Sequence, residues 1–94
     1  MTYQEAKRIA LNNNRRVNAC NEFQKGYYFF EERSGDWFGD SGFVVVKENG
    51  RVLNWLSFIR TYHPEVTAKE LDFVTGEVKG EVKYGNDEED DEEE

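Results

Sequence analysis

One cysteine, one histidine and one proline are present in this chain, and each scarcity closes off a class of chemistry. Cys20 alone provides neither a disulfide framework nor a thiolate cluster for a metal. It falls in a strand pattern, where a lone thiol acts as a small hydrophobe. A nucleophilic or acid–base site needs a nucleophile within reach of a base that a third group holds in place. His63 stands directly before Pro64 at an element boundary, which marks a turn residue rather than a catalytic one. Glu31 and Glu32 are neighbours in a strand pattern, so they point to opposite faces and do not cooperate as a carboxylate pair. The glycines of residues 34–42 match neither a dinucleotide fingerprint nor a phosphate-binding loop. No catalytic, metal or cofactor residues are therefore expected, and the chain reads as a non-enzyme. Apolar runs of membrane-span or signal-peptide length are also missing, so a cytoplasmic protein is the expectation.

Net charge is missing from most of the chain as well. Of the 20 acidic residues, eight are the unbroken run 87–94, which leaves twelve before it against twelve Lys and Arg. The run therefore accounts for the whole net charge of −8. Eight adjacent carboxylates repel one another and contain nothing to bury, so residues 86–94 are expected to form a disordered, solvated tail. Two roles stand open for it: solubility alone, or electrostatic attraction of a basic partner. The remaining 85 residues or so make one small domain, which buries roughly 60–65% of its unfolded surface. Direct nucleic-acid binding is not expected, because a neutral body with an acidic tail lacks a basic footprint, despite the pairs Lys7-Arg8 and Arg15-Arg16.

What the chain has in abundance is aromatic residues: seven Phe, five Tyr and two Trp. Large rings supply a short chain with buried area. Thr2 and Glu5 match a capping box ahead of a helix over 3–11, whose stripe is Tyr3, Ala6, Ile9 and Ala10. Asn12, Asn13 and Asn14 stop it. Val17, Ala19 and Phe23 alternate as a strand that Asn21 interrupts, and Gln24, Lys25 and Gly26 turn the chain into a second strand over 27–31. That strand is apolar on both faces and belongs at the centre of the sheet, hairpinned to the first. After the Gly-rich connection, residues 43–47 and 51–55 form a hairpin in which Asn49-Gly50 supplies positive φ angles. Trp55 belongs with the core. Residues 56–62 read as a short helix, with strand as the competing assignment, ended at His63-Pro64. Thr67 and Glu70 match another capping box, but Phe73, Val74, Gly76 and Val78 read better as extended chain around a Thr75-Gly76 turn. Residues 79–84 suit an edge strand guarded by Lys79 and Lys83. The expected class is α+β: an N-terminal helix on a mainly antiparallel sheet of four to five strands.

With chemistry sparse, recognition of another protein is the leading functional class. Trp37 and Phe38, flanked by Asp36 and Asp40 in the Gly-rich loop, have the makeup of an interface anchor with rings at the middle and acids at the rim. The competing assignment folds both rings back to close the sheet. A second functional class is an acidic inhibitor that mimics nucleic acid and blocks a DNA-handling enzyme; a third is a chaperone-like domain whose tail maintains solubility. A monomer or weak dimer is expected, with no membrane partner.

Several segments, in order, resemble the YrhB-like bacterial immunity family, also called immunity protein 35. They are residues 1–6 (Met-Thr-Tyr-Gln-Glu-Ala), 26–31 (Gly-Tyr-Tyr-Phe-Phe-Glu), Gly39-Asp40 ahead of 43–46 (Phe-Val-Val-Val), and 47–52 (Lys-Glu-Asn-Gly-Arg-Val). The resemblance spans residues 1–62. It implies an α+β fold and protection against a toxin effector, and it transfers no catalytic residue.

Overall fold

Thr2 opens the first helix as its capping box requires. Its hydroxyl accepts from the Glu5 N–H at 3.2 Å, and the Glu5 carboxylate accepts from the Thr2 N–H at 2.9 Å. The Thr2 N–H, donating to that carboxylate, holds the Glu5 carboxyl below its ordinary pKa. The structure, a computed structural model, describes residues 1–32 and 42–84. In chain order the elements are α1 (Tyr3–Asn13), β1 (Ala19–Glu22), β2 (Gly26–Phe30), β3 (Phe43–Val46), β4 (Val52–Asn54), α2 (Trp55–Tyr62), β5 (Thr67–Leu71) and β6 (Val78–Lys83). The acidic run 87–94 and most of the Gly-rich loop, residues 33–41, lie outside the described residues.

The described strands form a six-stranded sheet in the order β4-β3-β2-β1-β5-β6, with every neighbouring pair antiparallel. The α+β architecture holds, with one or two strands more than expected. Its centre is β2, whose Tyr27, Tyr28 and Phe29 are buried as an all-apolar strand demands. Alternation divides the rings between the faces. Tyr27 and Phe29 join Ala6, Ala10, Val45 and Leu71 beneath α1, whereas Tyr28 joins Phe23, Val44, Val46 and Phe58 on the α2 side. Ala6 and Ala10 are fully buried, and their small side chains let α1 approach the sheet closely. Gly26 does the same for α2: a Cβ there would come within 2.6 Å of Val44 Cγ1 and 3.1 Å of Phe58.

Three local expectations change. The β3–β4 connection is longer than a two-residue Asn-Gly turn. The Gly50 N–H donates to the Val46 carbonyl at 2.8 Å, and Gly50 alone carries positive φ, +72°. The Asn49 carboxamide instead accepts from the Arg51 N–H at 3.0 Å, which favours the wider loop. The second correction concerns residues 67–71, which form β5 and pair with β1 through Cys20↔Leu71 and Glu22↔Lys69. A capping-box match at Thr67 yields to that long-range pairing, which buries Ala68 on one face and Leu71 on the other. The third concerns the turn expected at Thr75-Gly76, which is present but begins at Asp72, so that Phe73 and Val74 lie in the turn rather than in extended chain. The Asp72 carboxylate accepts from the N–H groups of Val74 (2.9 Å) and Thr75 (3.0 Å), and these donors hold its pKa below the usual carboxylate range. Gly76 completes the turn at φ +83°, close against the Tyr3 ring. The edge position of β6 agrees with the sequence.

The short helix α2 takes in Trp55, which the pattern placed in the preceding strand, and ends where expected. Asn54 caps α2 by accepting from the Ser57 N–H at 2.8 Å. At the other end His63 is the C-cap, left-handed at φ 49°, ψ 59°, with its N–H on the Ile59 carbonyl at 3.1 Å. It is a turn residue, as its place before Pro64 predicts.

Candidate protein-binding surface

Asp36, Trp37, Phe38 and Asp40, the residues the sequence singles out, lie outside the described residues. Both ends of their loop are described, and both are fixed at one end of the sheet. The Asn18 side chain grips the outgoing end: its Oδ1 accepts from the Glu32 N–H at 2.7 Å while its Nδ2 donates to the Glu32 carbonyl at 3.1 Å. At the returning end, Gly42 rests on Tyr28. A Cβ at Gly42 would come within 2.6 Å of Cζ of that ring, so glycine is what permits the approach. Register places Gly42 next to the Phe29↔Phe43 pair, beside Phe30.

From this end a row of rings crosses the α2 face. Phe30 stacks on Tyr28 at 5.3 Å, Tyr28 meets Trp55 at 5.1 Å, and Trp55 meets Tyr84 at 5.2 Å. The row continues from Tyr84 to Phe23 at 5.2 Å, then to Phe58 at 5.9 Å and Tyr62 at 5.4 Å. Phe23, Tyr28 and Phe58 are buried, whereas Phe30, Trp55, Tyr62 and Tyr84 are half-buried and retain surface. Sequence pattern assigned Tyr28 and Phe30 to the core and Trp55 with them. Their convergence with Tyr84, which is 29 residues beyond Trp55 and more than 50 beyond Tyr28 and Phe30, carries no local signature.

A polar pair lies beneath the row. Asn21, which interrupts the apolar alternation of β1, is 4% exposed, and its Nδ2 donates to the Tyr84 hydroxyl at 2.6 Å. A buried amide requires such a partner, because leaving it unpaired costs more than the bond contributes. Burial pushes the Tyr84 phenol up to about 12, opposed in part by the Asn21 hydrogen bond. The phenol is therefore neutral at physiological pH and presents a fixed polar edge within an aromatic surface.

The opposite end of the sheet holds a hollow of about 350 Å³, whose lining includes Glu22, Gln24, Lys47, Glu65 and Lys69. Lys47 bonds Glu22 at 2.6 Å and lies 4.8 Å from the centre of the Tyr27 ring, and Glu65 accepts from the Gln24 N–H at 2.7 Å. The acids and lysines balance, and Glu22 and Lys47 are already committed to one another. Cys20 is buried, and burial raises its pKa, so it stays a neutral thiol. Among the described residues there is no group of three or more His, Cys, Asp or Glu able to hold a metal ion, and no helix is long and apolar enough to cross a membrane.

The chain matches no protein-family model, no curated protein and no solved structure.

Proposed function

We propose that this chain is a non-enzymatic domain that binds another protein, and that it acts as an immunity or inhibitor protein neutralising a toxin effector in the cytoplasm. The observation that carries the binding role is the half-buried ring surface of Phe30, Trp55 and Tyr84 bordering the fixed ends of the loop that bears Trp37. Rigid rings with polar tips contribute contact area at little entropic cost and dominate protein interfaces. The toxin-directed part rests on the resemblance of residues 1–62 to the YrhB-like family. Residues 87–94 add steering toward a basic partner, an effect that salt weakens.

The test is capture of a partner from native lysate, with the captured protein identified by mass spectrometry. Wild-type chain, Trp37→Ala, Phe30→Ala and a form lacking residues 87–94 are compared at low and high salt. The proposal expects both ring substitutions to abolish capture and the deletion to slow association only at low salt. Capture unaffected by either ring substitution, and lost with salt or the deletion alone, would favour the acidic mimic of nucleic acid instead.

A further inference from the structure

Lysines lie over rings on one face of the sheet and not on the other. On the α1 side Lys7 sits 4.8 Å from the centre of the Phe73 ring, and Lys47 sits 4.8 Å from that of Tyr27. On the α2 side no Lys or Arg of the described residues lies over Phe30, Trp55, Tyr62 or Tyr84, although each of these rings keeps surface. The face of a ring is the negative side of its quadrupole, and an indole attracts a cation most strongly. Carboxylates complete the match. Asp87 is three residues beyond Tyr84, so the run 87–94 begins within about 11 Å of that residue. Given the protein-binding role on which this rests, we infer that Trp55 and Tyr84 receive an arginine side chain of the partner, and that residues 87–94 pair with further cations of the same basic segment.

The ring centres of Trp55 and Tyr84 are 5.2 Å apart. A plane held between two rings needs roughly twice the contact distance of about 3.5 Å, so the cation stacks on the outer surface of the pair and does not enter between them. Both rings are fixed before a partner arrives. Trp55 opens α2, whose cap Asn54 accepts from the Ser57 N–H at 2.8 Å. Tyr84 is held by the Asn21 amide at 2.6 Å and by its own N–H on the Val66 carbonyl at 2.6 Å. Groups ordered in advance lose less entropy on binding. The adjacent Lys83 does not take the position itself. Val82 pairs with Ala68 of the α2-side core, so alternation turns Lys83 to the other face and Tyr84 back.

Arginine suits such a surface better than lysine does. Its guanidinium is planar and weakly hydrated, and it stacks on a ring while its N–H groups remain available to carboxylates. The acidic run then acts in contact as well as at a distance. The same carboxylates repel phosphate, which sets a polyanion aside as the occupant.

Titration with the synthetic peptide Gly-Arg-Gly-Arg-Gly-Arg-Gly, followed by NMR, tests this, with Trp37→Phe used to tell the two indole resonances apart. The Trp55 indole and the Tyr84 ring should move. A peptide with neutral citrulline in place of arginine should bind at least about fivefold more weakly, and a lysine peptide should fall between the two. Trp55→Phe keeps a ring in place and should weaken arginine-peptide binding about two- to fivefold. Deleting residues 87–94 should weaken it roughly tenfold at low salt and leave Trp55 responding. Equal binding of the citrulline peptide, or shifts confined to residues 87–94 with Trp55 unmoved, would overturn the proposal. Partner capture separates the two readings. A captured partner that protects the ring row, with Trp55 unmoved by the arginine peptide, would sink the arginine subsite and spare the binding role, whereas a Trp55 response with no partner captured would spare the subsite and sink the role.

Discussion

The two faces of the sheet are covered differently. On the α1 face an eleven-residue helix is tied down along its length. The Tyr3 hydroxyl donates to the Phe73 carbonyl, Tyr3 packs on Tyr27 and Phe29 with ring centres at 5.7 and 6.1 Å, and Lys7 sits 4.8 Å from the Phe73 ring centre. The α2 face has an eight-residue helix, a buried amide and a row of rings that keeps part of its surface. Both sides bury large side chains, Phe29 and Val45 beneath α1 and Phe23, Val44, Val46 and Phe58 beneath α2, and the α2 side adds a continuous row of half-buried rings. On the proposed function, recognition falls to the α2 face with its row of rings.

The largest expected effect falls where the first face is densest. Phe29→Ala, at a fully buried ring, should cost about 3–5 kcal/mol in denaturant unfolding, while Phe30→Ala on the half-open side should cost about 1–2 kcal/mol. Equal costs would erase the distinction between the faces. Next comes the polar pair beneath the rings. Tyr84→Phe leaves the Asn21 N–H buried without its acceptor, and a loss of about 1–3 kcal/mol is expected in the same assay.

The same phenol sets an alkaline limit. Its folded pKa, about 12, lies above the ordinary value of 10.0, and the folded state therefore holds the proton more tightly than the unfolded chain. That contribution is complete below pH 10, is lost as pH rises toward 12, and diminishes in Tyr84→Phe. Tyr3 and Tyr27 are raised by burial in the same direction on the other face, so the slope should shrink in the variant without vanishing. Thermal unfolding across this pH range checks it.

Smaller changes sharpen the comparison further. Thr2→Ala removes the cap of α1 and should cost about 1 kcal/mol in chemical denaturation, with partner capture unchanged because the cap lies away from the ring row. At the end of α2, His63→Gly relieves a left-handed residue and should stabilise the chain by about 0.5–1 kcal/mol. No change at His63→Gly would show that the following proline, which disfavours the right-handed helical region, already offsets the strain.

Legibility in the sequence followed the range of the interactions. The capping box of Thr2 and Glu5, the central position of β2 and the hairpin into β3 and β4 are set by neighbours along the chain, and all were readable. Residues 67–71 were not, because their strand character comes from pairing with β1, and the local Thr67–Glu70 motif points to a helix instead. Asn21 looked like a flaw in an apolar face for the same reason: its partner, Tyr84, arrives from the far end of the sheet. The anchor predicted at Asp36, Trp37, Phe38 and Asp40 lies outside the described residues, yet the clamps at Asn18–Glu32 and Gly42–Tyr28 tie its loop to the ring row. That connection depends on a glycine contact with a ring two strands' length away in sequence, which no local pattern encodes.

Hydroxyl-radical footprinting of the chain with its captured partner tests the division of labour between the faces most directly. Oxidation of Phe30, Trp55 and Tyr84 should fall in the complex while that of Met1, Ile9 and Leu11 stays unchanged. Protection confined to Met1, Ile9 and Leu11, with the ring row oxidised as in the free protein, would contradict it.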